Sequence, residues 1–69
     1  MRLSARNQLV GTVSAIEVGS VMTIVRVSLD GGQEVTASVT KDSVDELGLS
    51  VGSPVTAVIK STEVMLGAE

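Results

Sequence analysis

Val21 to Gly48 reads VMTIVRVSLDGGQEVTASVTKDSVDELG, and three kinds of local order follow one another within it. From Gln33 to Thr40 apolar and hydroxyl residues alternate, with Val35, Ala37 and Val39 on one side and Thr36, Ser38 and Thr40 on the other. That is the period of a strand with one face on a core and one in water. Ahead of it, Val21, Val25, Val27 and Leu29 share one parity, while Met22 and Ile24 share the other with Arg26 and Ser28. Asp30-Gly31-Gly32 between the two runs is a hairpin signal, because glycine accepts the left-handed angles of a tight turn. After Thr40 the spacing changes. Thr40 or Asp42 can cap a short helix through Leu47, on which Val44 and Leu47 lie three apart, and Gly48 is placed to end it.

Working outward, Leu9 to Val18 is strand-like but apolar in both parities, with Leu9, Val13 and Ala15 in one and Val10, Ile16 and Val18 in the other. Such a strand is expected to be covered on both faces. Gly19-Ser20 reads as a two-residue type II′ turn into the next strand. Beyond the helix, Ser50 to Pro54 reads as a loop, proline opens a strand over Val55 to Ile59, and a turn at Ser61 to Glu63 leads to a short last strand, Val64 to Leu66. The order is strand, strand, strand, short helix, strand, strand. This predicts an all-β fold: a small five-stranded OB-like Greek-key barrel with one short helix between strands 3 and 4, forming a single domain over residues 1–69.

A chain of 69 residues buries only about 60% of the surface its unfolded form exposes. With no Cys and no His, disulfides and histidine-held metals are closed off as staples, while 43% apolar residues and a mean hydropathy of +0.43 leave apolar surface to hide. Self-association is the expected remedy, with Met22 and Ile24 as candidate contacts. The lack of Cys agrees with a reducing compartment, and the uninterrupted apolar runs, such as Ala57-Val58-Ile59, fall far short of the roughly 20 residues of a membrane helix. A cytoplasmic protein without a membrane segment or signal peptide is expected. A net charge of −3 and the absence of Phe, Tyr and Trp argue against nucleic acid, which asks for cations against phosphate and rings against bases. An enzyme is equally hard to build without a Cys or His to serve as nucleophile or base. Asp42, Asp45 and Glu46 read as solvated helix charges, and Met22 and Met65 as packing residues rather than metal ligands.

What remains is a set of hydrogen-bond donors. Ser4-Ala5-Arg6-Asn7-Gln8 is a polar run ahead of the first apolar stretch, and Lys60-Ser61 stands where the last long one ends. Arg6 offers a rigid fork of N–H groups, Lys60 mobile ones, and Ser4, Thr40, Ser43 and Ser61 hydroxyls, a combination suited to a small oxyanion. Ordinary surface cations in salt bridges account for Arg6 and Lys60 equally well at this level.

The runs SARNQLVG (Ser4–Gly11), EVTASVTKDSVDELGLSVG (Glu34–Gly52) and VTAVIKSTEVMLG (Val55–Gly67) resemble the molybdate-binding Mop domains, or molbindins, over nearly the whole chain. SARNQ near the start combined with VIK and a following VM near the end is far more specific than either piece alone. The resemblance implies an OB-like fold, a homohexamer built as a trimer of dimers, and molybdate or tungstate bound between subunits for storage or homeostasis. Carried over by motif position, Ser4, Ala5 and Arg6 would bind through side chain and backbone, with Lys60 and Ser61 completing the pocket. Thr40 and Ser43 are similar to hydroxyl positions that contact the anion in some relatives. The position after the lysine, often alanine in the family, is Ser61 here, so a backbone N–H is the contribution it shares with them. Because self-association is expected, Arg6 and Lys60 are expected to converge across a subunit boundary. The alternative from another class is an OB-like regulatory or protein-interaction module.

Overall fold

The computed structural model describes residues 1–69. Its elements are β1 (Asn7–Val18), β2 (Met22–Leu29), β3 (Glu34–Thr40), α1 (Lys41–Leu47) and β4 (Pro54–Ile59), followed by a one-turn 3-10 helix, Ser61–Glu63. The strands form one four-stranded sheet in the order β3-β2-β1-β4, antiparallel throughout. Three hairpin-connected strands with the fourth returning beside the first is the Greek-key arrangement. No cis peptide bond occurs.

β1 explains why its sequence looked apolar on both faces. A bulge between Val13 and Ala15 shifts the register, so Val13 pairs with Val27 before it and Ile16 with Val25 after it. Both therefore face the same interior although they differ in parity, and the strand is bent rather than sandwiched. The bend lets one strand serve two neighbours: Asn7–Thr12 pairs with β4 and Gly11–Val18 with β2. Gly11 stands where the two ladders overlap, and a Cβ there would lie 2.5 Å from the Ser28 carbonyl oxygen and 2.8 Å from Val27 Cγ1. Next to the bulge, the Ser50–Ser53 turn locks onto β1, with Val13 N–H donating to Ser53 O at 2.9 Å and Gly52 N–H to Val13 O at 2.8 Å.

The interior is small. Val13, Val25, Val27 and Val44 are the buried apolar side chains, with Ile16, Leu29, Val39, Leu49 and Val55 packed around them. Thr23, in register with the valines of β2, is fully buried, and its Oγ1 has no hydrogen-bond partner. Val35, Ala37 and Val39 turn inward from β3 while Thr36, Ser38 and Thr40 are exposed, as the alternation predicted. On the outer face, Arg26 ties β1, β2 and β3 together through Glu17 at 2.9 Å and Glu34 at 3.8 Å.

Four expectations are corrected. The β1–β2 turn centres on Ser20 and Val21 rather than Gly19 and Ser20: Gly19 N–H donates to Met22 O at 2.9 Å, and Gly19 has no positive φ. A Cβ on Gly19 would lie 2.4 Å from that same oxygen, so glycine serves close approach there, not a left-handed angle. Val21 is consequently a turn residue and 69% exposed, and Thr23 takes the core position in its place. Leu47 is 70% exposed because the seven-residue helix lays only Val44 on the sheet, and Leu49, just past the Gly48 αL cap, packs instead. Val64–Leu66 forms no strand, so the sheet is a curled half-barrel with β3 and β4 as free edges.

Gly11→Ala should lower the midpoint of urea unfolding by an amount equivalent to about 1–3 kcal/mol, measured by circular dichroism at fixed protein concentration, since the backbone of β2 must move to admit the methyl group.

Candidate functional site

β1 and β4 set the site. Their first rung pairs Asn7 with Ile59, so the residues just before one strand and just after the other emerge at the same end of the sheet. There Ser4, Ala5, Arg6, Lys60, Ser61 and Thr62 line one open cavity of about 350 Å³. Two side chains hold the walls. Asn7 Nδ2 donates to Ile59 O at 3.2 Å across the rung, and Gln8 Nε2 folds back to Ala5 O at 2.9 Å, which fixes the turn that presents Arg6. The far wall is the 3-10 turn, in which Glu63 N–H donates to Lys60 O at 2.9 Å and Val64 N–H to Ser61 O at 3.4 Å. The N–H groups of Ser61 and Thr62 precede those bonds and have no acceptor within the turn.

Chemically the cavity is a cluster of donors. Its lining holds a guanidinium, an ammonium and three hydroxyls, and no carboxylate. Arg26 is the cation that forms salt bridges, with Glu17 and Glu34, whereas Arg6 and Lys60 form none. The reading of these two as paired surface cations therefore does not hold. Elsewhere in the chain no group of three or more His, Cys, Asp or Glu side chains is gathered to hold a cation. No helix is long and apolar enough to cross a membrane.

The structure thus brings Ser4, Ala5, Arg6, Lys60 and Ser61 together, and adds Thr62. Arg6 and Lys60 meet within one chain rather than only across a subunit boundary, because the β1–β4 rung that joins them is local to the chain. Thr62 is not among the donors named from the sequence; its signal there is its place directly after Lys60-Ser61 within the predicted turn.

Thr40 and Ser43 lie elsewhere. Thr40 pairs with Met22 at the end of β2 that follows the β1–β2 turn, whereas Arg6 precedes the start of the 12-residue β1. At about 3.3 Å per residue the two positions are separated by most of the length of the sheet. Locally the pair is a helix cap: Thr40 Oγ1 accepts from Ser43 N–H at 3.1 Å and lies 2.7 Å from Ser43 Oγ. Both hydroxyl groups remain on the surface side of the helix start.

The fold and this end-of-sheet cavity define a class first, that of small OB-like Greek-key domains with a donor-lined pocket beside the first and last strands. The TOBE domain model matches residues 3–66. The chain is 48% identical to the probable molybdenum-pterin-binding protein of Haemophilus influenzae, with each chain covered completely. It is 49% identical over 97% of its length to the molybdenum transport protein ModE of Herbaspirillum seropedicae, of which it spans only 25%. Among solved structures, the cytoplasmic molybdate-binding protein ModG superposes with a TM-score of 0.96 at 52% identity, covering 100% of this chain and 49% of that one. The chain belongs to the TOBE-domain family, in its Mop or molbindin group.

Thr40→Ala should remove the cap and reduce unfolding free energy by about 1 kcal/mol, read from urea titration.

Proposed function

We propose that this chain is a cytoplasmic, non-enzymatic binder of molybdate and tungstate, used for storage or homeostasis, whose domain spans residues 1–69. The observation that carries the reading is the convergence of Arg6 and Lys60, free of carboxylates, with Ser4, Ser61 and Thr62 on one cavity. Molybdate is a tetrahedral dianion. One Arg and one Lys balance its charge, and hydroxyl and backbone N–H groups satisfy its oxygens through charge-assisted hydrogen bonds. The names of the relatives and the molybdate-bound ModG structure support the choice of oxyanion.

Every lining residue except Ala5 is exposed, so in a lone chain one side of a bound anion would stay in water. We place the missing side on a second copy, within a hexamer arranged as a trimer of dimers, and assign Thr40 and Ser43 of that copy as the remaining hydroxyl donors. Excluding water strengthens each contact on a dianion. Since the chain is acidic overall, attraction is local to the pocket rather than a long-range field. Sulfate carries the same charge on a smaller tetrahedron, so a rigid donor set leaves its oxygens out of reach, while tungstate is nearly isosteric with molybdate.

A second reading, a regulatory module within a longer regulator, is favoured by the ModE match, in which this domain accounts for a quarter of the protein. Both readings use the same pocket and differ in what the occupied domain reports to.

Isothermal titration should give saturable heats with molybdate and tungstate and at least tenfold weaker binding of sulfate and phosphate; equal affinity for sulfate, or no molybdate heat, would sink the reading. Arg6→Ala and Lys60→Ala should each weaken molybdate binding by about tenfold or more, the scale expected for a lost charge-assisted contact, with the sedimentation profile unchanged.

A further inference from the structure

The β2–β3 hairpin closes on a turn that carries two reactive groups side by side with nothing to hold either. Gly32 N–H donates to Leu29 O at 2.9 Å and Leu29 N–H to Gln33 O at 2.7 Å, which leaves Asp30 and Gly31 as the central pair. Both are exposed. The Asp30 carboxylate enters no ion pair, and the Gly31 N–H has no backbone acceptor. Glycine at 31 serves neither a backbone angle nor a tight fit: unlike Gly32, at φ 89°, it has no positive φ, and a Cβ there would meet nothing within 4 Å. Its effect is to leave an amide nitrogen unshielded next to the carboxyl group of the residue before it.

The other Asp and Asn residues of the chain are held. Asp42 is followed by Ser43, whose N–H is taken by Thr40 Oγ1 at 3.1 Å. Asp45 precedes Glu46 inside α1, where the repeating bonds of a helix fix the amides. Asn7 is followed by Gln8 within β1, and its side chain donates to Ile59 O at 3.2 Å.

We propose that Asp30–Gly31 is a modification site, at which the backbone rearranges spontaneously from aspartate to isoaspartate. The Gly31 nitrogen attacks Cγ of Asp30. A C–N bond forms, a C–O bond breaks, and the carboxyl hydroxyl leaves with the amide proton as water, closing a five-membered succinimide. Water then adds to the Asp30 backbone carbonyl carbon, the bond from that carbon to the Gly31 nitrogen breaks, and the nitrogen regains a proton. The chain now runs through the Asp30 side chain, one atom longer, with a free α-carboxylate and no net change in mass. Turn length sets hairpin register, so the extra atom strains the Gly32–Leu29 bond and the adjoining Ser28–Glu34 rung. Through Glu34 the change reaches Arg26, at 3.8 Å, and Ser14, at 3.3 Å. An α-carboxylate displayed on an exposed turn is the group that S-adenosylmethionine-dependent isoaspartyl methyltransferases esterify, so an enzyme of that class is the partner this turn fits. The oxyanion pocket lies at the Asn7–Ile59 end of the sheet, and the modification does not rest on that reading.

The test keeps the folded protein at physiological pH and temperature for several weeks, then treats it with an isoaspartyl methyltransferase and S-adenosylmethionine labelled in the transferred methyl group. Label should accumulate with time, and electron-transfer fragmentation should place the isoaspartate at residue 30. Gly31→Val, whose branched side chain crowds the attacking nitrogen, should take up label about fivefold or more slowly. Asp30→Glu, with its carboxyl one methylene too far for the five-membered ring, should take up no more than fresh protein. The modified form, separated by ion exchange, should unfold at lower urea than the fresh protein. Absence of label in aged wild type, label placed at Asp42 or Asp45 instead, or equal rates in the wild type and Gly31→Val would overturn the assignment.

Discussion

The pairing of β1 with both of its neighbours is the constraint on which the rest of the molecule depends. One strand long enough to meet β4 over its first half and β2 over its second must bend, and the bulge after Val13 supplies the bend. The same bulge returns Ile16 to the interior side that Val13 left, so both halves of the strand feed one core. Gly11 sits at the overlap because the crossing leaves no room for a side chain. From the outer end of this strand follows the site, since the Asn7–Ile59 rung is what sets Arg6 beside Lys60.

The energetics of the fold and its function are linked by what the fold lacks. Four buried apolar side chains, all valine, are a thin core for a chain of 69 residues. The buried hydroxyl of Thr23, which has no hydrogen-bond partner, weakens that core further. The chain therefore leaves apolar residues uncovered, and under the proposed function the assembly that covers them would also close the water-open side of the pocket at the end of the sheet.

Much of this was legible from residue order alone. The clean alternation of Glu34–Thr40, the glycine pair before it, the Thr40 cap and the Gly48 stop all describe contacts between residues near in sequence, and each appears where its local chemistry placed it. The Greek-key order followed from counting those elements. Less legible were positions whose environment is set by remote chain. Leu47 looked like a core residue because it stands three after Val44, but a helix of two turns touches the sheet at one point. Val21 looked like a strand residue because the turn's centre depends on which amide meets which carbonyl across the hairpin. Val64–Leu66 has the composition of a strand and lacks a neighbour within the chain.

The polar run Ser4–Gln8 and the pair Lys60-Ser61 show the same division at the site. Their donor chemistry belongs to the sequence: a fixed guanidinium, an ammonium and hydroxyls are what they are in any fold, and with no Cys, His or aromatic residue they were the groups left to carry a function. Their meeting does not. Fifty-two residues separate Asn7 from Ile59, and only the closing of β4 against β1 makes that separation a hydrogen-bonded contact. The sequence determined which groups could bind an anion and the local elements that bear them, because those depend on side-chain chemistry and near-neighbour periodicity. Tertiary structure decided that Arg6, Lys60 and Thr62 share one cavity while Thr40 and Ser43 do not, because strand register, bulge and bend act on the whole ladder at once.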